Sequence, residues 1–173
     1  MKTLFDASTL HNRIAELGAQ IRADVGDEPI VAVCVLKGSI LFTADLVRAI
    51  GGDVRIEFLG VSSYEGTEST GEVRITHDLR THVQDTHLLV VEDIVDTGLT
   101  LSFLLKALAV RNPASLRVAA LLDKPSRRTS GVQADYIGFT IEDQFVVGYG
   151  LDLDERYRNL PFVAIYEPDV DGR

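Results

Sequence analysis

Apolar residues recur along the chain in two alternating rhythms. Leu10, Ile14, Leu17 and Ile21 fall on one helical face and predict an amphipathic helix over Leu10–Ile21, with Ser8 or Thr9 as its N-cap. Ile30–Leu36 follows, continuously apolar and rich in β-branched residues, as expected of a strand buried on both faces. Lys37-Gly38 ends that run, and a second amphipathic stretch extends from Ser39 to Ile50. Val54–Val61 predicts another strand. Ser62–Gly71 is rich in Ser, Thr, Glu and Gly and reads as a loop or hairpin tip, from which Glu72–His77 returns as a strand. His87–Val91 is again strongly apolar and is followed by an acidic turn and a helical pattern over Leu99–Val110. Leu116–Leu122 predicts a third buried strand, leading into the polar segment Asp123–Gly131. Shorter strands fit Tyr136–Phe139, Phe145–Val147 and Phe162–Tyr166.

Strand and helix in alternation specify an α/β fold with a parallel sheet flanked by helices on both faces. Ligands of such sheets sit at the carboxyl ends of the strands, near a switch in strand order. The polar punctuation falls right after the apolar runs, at Lys37-Gly38, Glu92-Asp93 and Asp123-Lys124, so all of it gathers on one edge. That convergence marks one site. No repeat or linker divides residues 1–173, and a single domain is expected.

Composition narrows the picture. The 46% hydrophobic and 25% charged content belongs to a globular chain rather than a disordered or membrane one. No apolar stretch near the start suits a signal peptide, and cytoplasmic residence is the expectation. The net charge of −9 argues against a nucleic-acid partner, since phosphate-backbone binding needs a basic surface. Cys34 is the lone cysteine, set in an apolar strand, and reads as a buried structural thiol. The histidines show no metal-ligand spacing.

Chemistry concentrates in Val90–Leu101. A buried strand ends in the carboxylates Glu92 and Asp93, and the loop Asp96-Thr97-Gly98-Leu99-Thr100 then enters a helix. Gly98 permits a tight turn and close backbone approach, and Thr97 and Thr100 add hydroxyls to unpartnered helix N–H groups. These features form a phosphomonoester cradle at a helix N-terminus. The adjacent carboxylates suit ribose hydroxyls or a Mg²⁺-bound diol. The plainer alternative is that Asp93 and Asp96 cap the helix and the threonines satisfy a turn.

The whole stretch resembles the phosphoribosyl-pyrophosphate signature of the type I phosphoribosyltransferases: apolar positions, two acids, two apolar positions, then Asp-Thr-Gly-x-Thr. Leu36-Lys37-Gly38, Ser63-Tyr64, Asp123-Lys124-Pro125 and Phe145–Asp152 resemble the hypoxanthine-guanine branch in the same order, so the resemblance covers about Val31 to Pro161. It implies a central, mostly parallel sheet with helices, a small hood region and a flexible loop. It implies transfer of a 5-phosphoribosyl group to N9 of hypoxanthine or guanine, with Mg²⁺ as cofactor, in a homodimer or homotetramer.

The resemblance also implies roles. Lys37 and Gly38, in a loop that often carries a non-proline cis peptide, and Arg158 would bind pyrophosphate. Ser63 and Tyr64 would lie in the loop that closes over it and excludes water. Asp96 would handle the proton on purine N7, by becoming a better base or by a strong shared hydrogen bond. Lys124 would donate to the purine 6-oxo group and reject the 6-amino group of adenine. Phe145 would stack on the base, Val146 would contact its edge, and Asp152 would serve as a Mg²⁺ ligand near its 2-position. Glu92 and Asp93 complete the metal and ribose set. Plainer alternatives are a surface lysine for Lys37, a turn pair for Asp123-Lys124, plain core for Phe145 and a solvated side chain for Arg158. A xanthine-preferring enzyme and an RNA-binding pyrimidine-operon regulator on the same fold are the competing functions.

Overall fold

The run Ile30–Leu36 forms strand β2, and its residues alternate between two cores. Ile30 and Ala32 pack with helices α1 (Ala7–Val25) and α2 (Ile40–Ile50) through Leu10, Ile14, Leu17, Phe42 and Leu46. Val31, Val33 and Val35 face helix α3 (Leu99–Ala109) through Leu101, Leu104 and Leu108. A strand buried on both sides has no polar face to show, which is why the run reads as continuously apolar. The computed structural model describes residues 1–63 and 73–167.

Around β2 lie β3 (Val54–Ser63), β4 (Val73–His77), β5 (His87–Val95), β6 (Ser115–Asp123) and β7 (Tyr136–Thr140), in the six-stranded order β4-β3-β2-β5-β6-β7. Every neighbouring pair is parallel except β3 and β4, which pair antiparallel as arms of the expected hairpin. The chain runs from β2 outward to β3 and β4, then crosses back to β5 on the other side of β2. The switch point therefore lies between the carboxyl ends of β2 and β5. Lys37 leaves one of these ends and Asp96 the other.

A second, three-stranded sheet of order β1-β9-β8 forms the hood, from β1 (Lys2–Phe5), β8 (Val146–Val147) and β9 (Val163–Ile165). Phe5 stacks on Phe139 of β7 at 3.9 Å between ring centroids and joins hood to main sheet. No helix among the described residues is long and apolar enough to cross a membrane.

Among the differences from the sequence expectation, three matter most. The N-cap of α1 is Asp6, not Ser8 or Thr9: Asp6 Oδ1 accepts from the Thr9 amide at 2.7 Å and from Ser8 Oγ at 2.8 Å. The apolar stripe marks only the buried face, and the cap lies outside it. β5 does not stop at Val91 but runs to Val95, because Ile94 and Val95 keep pairing with Leu122 and Asp123 of β6. Glu92 and Asp93 thus stand inside a strand rather than in a turn after it. β1 carries no periodic signal of its own and exists through its pairing with β9.

Candidate active site

The loop after β5 is built around Gly98. Its φ is +77°, and a Cβ there would meet Ser130 Oγ and, at 3.0 Å, Arg128 Cδ, so the position admits only glycine without rearrangement. Gly98 is the N-cap of α3 and supplies no side-chain cap, so the first N–H groups of that helix stay available. Asp93 and Asp96 do not cap it. Asp93 Oδ1 accepts from the Ile94 amide at 2.7 Å, and Asp96 Oδ1 accepts from the Thr97 amide at 2.6 Å. Thr97 Oγ1 in turn lies 3.4 Å from the Leu99 amide.

A cavity of about 290 Å³ opens beside this loop, lined by Lys37, Gly38, Glu92, Asp93, Asp96, Gly98, Thr100, Asp152 and Arg158 among others. The structure therefore brings together both sides of the switch point. The Leu36–Lys37 peptide is cis. Gly38 lies directly against the Asp93 carboxylate, where any Cβ would collide with Oδ2. Lys37 and Arg158 face each other across Glu155: Lys37 Nζ is 3.0 Å from Glu155 Oε2, and Arg158 Nη2 is 3.3 Å from Glu155 Oε1. Arg158 is not a solvated side chain. It pairs with Asp152 at 2.9 Å, donates to the Gly150 carbonyl at 2.7 Å, and leaves a buried Nε without a partner.

A second cavity of about 480 Å³ adjoins the first and is lined by Asp93, Ile94, Asp96, Lys124, Arg127, Asp143, Phe145, Val146, Leu151 and Asp152. Lys124 is only 9% exposed, so it is not the surface member of a turn pair. Its ammonium donates to the Gln144 carbonyl at 2.6 Å and lies 3.8 Å from Asp143. Phe145 is 52% exposed and lines the cavity, in edge contact with Tyr166 at 6.1 Å, rather than filling the core. Val146 is buried in β8. Leu99 projects into solvent at the start of α3. Ser63 closes β3, and Tyr64 lies outside the described residues.

Carboxylates dominate the electrostatics of the site, and among the described residues only Asp152 of those lining the first cavity is ion-paired, to Arg158. Burial pushes Glu92 well above the usual carboxylate range, and the charges of Asp93 and Asp96 push the same way. Burial also raises Asp93 to about 6, against the pull of its backbone hydrogen bonds and of Arg158. Glu155 behaves oppositely: Lys37 first and Arg158 next hold its carboxyl below the ordinary value.

A family profile described as "Phosphoribosyl transferase domain" matches residues 2–154. The chain belongs to the phosphoribosyltransferase family. It is 44% identical over 170 residues to the hypoxanthine-guanine phosphoribosyltransferase of Bacillus subtilis strain 168, covering 98% of this chain and 94% of that one. A crystal structure of the Bacillus anthracis hypoxanthine-guanine phosphoribosyltransferase superposes with a TM-score of 0.92 at 45% identity, covering 96% and 99% of the two chains. A Staphylococcus aureus hypoxanthine phosphoribosyltransferase structure gives 0.94 at 44% identity over 100% and 95%. The architecture is thus the type I phosphoribosyltransferase fold, and the chain is an enzyme of that family.

Three features of this phosphoribosyltransferase site escape the sequence. Glu155 is one acid in the charged run Asp152–Arg158, and nothing local distinguishes it. Gly150 approaches the Gly38 backbone so closely that a Cβ would overlap the Gly38 carbonyl oxygen, at a φ of +100°. Arg128, in a polar segment, sends its guanidinium to the Asp96 carbonyl of the loop before α3. Only the pair of glycines flanking Tyr149 hinted at a special backbone.

Proposed function

We propose that this chain is a purine-salvage enzyme. It transfers the 5-phosphoribosyl group of phosphoribosyl pyrophosphate to N9 of hypoxanthine or guanine, giving IMP or GMP and pyrophosphate. One observation carries the reading: two cavities share a wall formed by Asp93, Ile94, Asp96 and Asp152. One holds an anion cradle and a pair of cations, and the other holds a buried lysine and an exposed aromatic ring. Such a layout suits a sugar phosphate meeting a flat 6-oxopurine at their common edge, and the relatives bear the corresponding name.

In this reading Asp96, Thr97, Gly98, Leu99 and Thr100 take the 5′-phosphate, with backbone N–H groups and threonine hydroxyls as donors. Lys37, the Gly38 backbone and Arg158 hold the pyrophosphate and displace Glu155 from the two cations. Lys124 turns from the Gln144 carbonyl to the purine O6, Phe145 stacks on the ring, and Val146 contacts its edge. Purine N9 then bonds to C1′ as the C1′–O bond breaks, and the electron pair leaves with pyrophosphate. The N7 proton passes to Asp96 or is shared with it. Ser63 and Tyr64 belong to the segment that would cover the oxocarbenium-like centre against water.

The residues present fit Mg²⁺. No group of three or more His, Cys, Asp or Glu is placed to hold a metal by itself among the described residues. Mg²⁺ is bound through one or two carboxylates plus substrate oxygens and waters, and Glu92, Asp93 and Asp152 supply oxygen donors of that kind. Glu92 is also buried with no cation paired to it among the described residues, a state that a divalent ion relieves. When bound, Mg²⁺ would neutralise the charge on the departing pyrophosphate. The single domain is proposed to work in the cytoplasm as a homodimer or homotetramer.

Steady-state rates with phosphoribosyl pyrophosphate, Mg²⁺ and each of hypoxanthine, guanine, xanthine and adenine test the reading. Hypoxanthine and guanine should be used and adenine rejected, and Lys124→Ala should narrow that gap. Preference for xanthine would reassign the base, and unchanged rejection of adenine by Lys124→Ala would sink the O6 role. Tight, specific RNA retardation in a gel would point to the regulator instead.

A further inference from the structure

The segment that follows the 3₁₀ turn Pro125–Arg127 bonds to the loop before α3, and its residues Arg128, Thr129 and Ser130 line neither cavity. Arg128 is mostly buried there, with its side chain 14% exposed. Its Nε donates to the Asp96 carbonyl at 2.9 Å, Nη2 to the Val95 carbonyl at 3.3 Å, and Nη1 to the Val132 carbonyl at 2.6 Å. Nη2 also pairs with the buried Asp123 carboxylate, which compensates the charge. The two following residues converge on the Thr97 carbonyl. The backbone N–H of Thr129 reaches it at 3.1 Å, that of Ser130 at 3.2 Å, and Ser130 Oγ at 3.1 Å.

The carbonyls of Val95, Asp96 and Thr97 are therefore all drawn to one side. In a planar trans peptide the N–H of the next residue points opposite to the C=O. The Lys124 amide also holds the Val95 carbonyl, at 2.9 Å, so the strap's own hold is on the Asp96 and Thr97 carbonyls. Pinning these turns the N–H groups of Thr97 and Gly98 to the opposite side of the loop, where the Asp96 carboxylate accepts from the Thr97 amide at 2.6 Å, beside the cavity that Asp96, Gly98 and Thr100 line. Arg128 itself lines neither cavity. Its donors are committed to the backbone and to Asp123, so any influence on a ligand must pass through the loop.

We infer that Arg128, with Thr129 and Ser130, is a positioning device that holds the Asp96–Thr100 loop in its phosphate-binding conformation. The inference rests on the reading of that loop as a 5′-phosphate cradle. It differs from a merely structural role in one measurable way. Loss of the strap should weaken ligands in proportion to what their phosphate contributes, whereas general destabilisation weakens all ligands alike.

Calorimetric titration of GMP and of guanosine, which lacks only the phosphate, separates the possibilities. Wild-type protein should bind GMP more tightly than guanosine. If it does not, the cradle reading itself fails. Given that preference, Arg128→Gln should lower GMP affinity about tenfold, the equivalent of one charge-assisted hydrogen bond, while guanosine changes less than about twofold. Arg128→Lys keeps the charge beside Asp123 but cannot span the Val95 and Asp96 carbonyls, so it should resemble Arg128→Gln. Ser130→Ala removes one donor from Thr97 and should shift the GMP-to-guanosine ratio in the same direction by about twofold to threefold. An unchanged ratio in Arg128→Gln, or full recovery by Arg128→Lys, overturns the inference. If Arg128→Gln does not fold, an unchanged ratio in Ser130→Ala overturns it alone.

Discussion

Asp96 stands where the two cavities meet, with its carboxylate exposed and turned onto the Thr97 amide at 2.6 Å. That amide belongs to the proposed cradle, so the side chain and the loop backbone are coupled before any ligand arrives. Asp96→Asn keeps the size and one acceptor but cannot take a proton. Turnover should fall by about 10²–10³ while the KM for phosphoribosyl pyrophosphate stays within about threefold, read from initial rates. Equal loss in both would reassign Asp96 to binding. Glu155 makes the opposite case, since it occupies Lys37 and Arg158 in the place proposed for pyrophosphate. Its pair with Lys37 is exposed on both sides, 67% and 63%, so it contributes little. Glu155→Gln should therefore tighten product inhibition by pyrophosphate, but by no more than about fivefold. Weaker inhibition would mean that Glu155 helps to hold the anion. The positions of Lys37 and Lys124 were legible in the sequence because each lies at the end of an apolar run, and that of Asp96 because it opens the Asp-Thr-Gly-x-Thr motif. Glu155 was not, because only the fold brings residue 155 beside residue 37.

The strands and helices were legible where burial leaves a continuous pattern, on one face in α1 and α2 and on both in β2 and β6. Ends were harder to read, because they depend on hydrogen bonds that periodicity does not encode. The acids Glu92 and Asp93 interrupt the apolar run of β5, yet backbone pairing with β6 continues through Val95↔Asp123. The proposed metal and ribose carboxylates are consequently fixed by a sheet ladder rather than by a loop, a rigid setting for a site that must align two substrates. The loop between β2 and α2 depends similarly on a distant element. Gly150 sits at φ +100° against the Gly38 carbonyl, and Arg158 donates to its own carbonyl at 2.7 Å. Gly150→Ala would force the hood away from Lys37 and Gly38. The variant should lose about 1–3 kcal/mol of stability and about tenfold or more in kcat/KM for phosphoribosyl pyrophosphate. Thermal melts and initial rates check the pair. Loss of stability with unaltered kinetics would show that the Gly150 contact does not align the Lys37-Gly38 loop for substrate.

Across the whole molecule, carboxylates shifted in opposite directions shape the dependence of stability on pH. Asp6 is held below its ordinary value by the Thr9 amide, Glu57 by the Thr81 hydroxyl and Asp78 by Arg111. Each contributes stability that is present above the unfolded values of 3.8 for Asp and 4.5 for Glu, and that is lost as pH falls through the lowered folded values. Glu92 and Asp93 do the reverse. Their folded forms bind protons more readily than the unfolded chain, so stability falls as pH rises from the unfolded value, for Asp93 through a window of 3.8 to about 6. The ligand-free protein should thus be more stable near about pH 5 than near about pH 8, because Asp93 gives up its proton across that interval against the cost of burial and Glu92 is shifted in the same direction. Glu92→Gln removes one of those charges while keeping the shape. It should raise Tm by about 2–4 °C near pH 8, equivalent to about 1 kcal/mol in a chain of this size, with a smaller gain near about pH 5, because a carboxyl raised by burial is less ionised at the lower pH. The same variant should bind phosphoribosyl pyrophosphate with Mg²⁺ less well than wild type, so that saturating ligand reverses the order of the two melting temperatures. A gain that is equal at both pH values, or absent at the higher one, would show that the buried charge of Glu92 is not what limits the stability of the free enzyme.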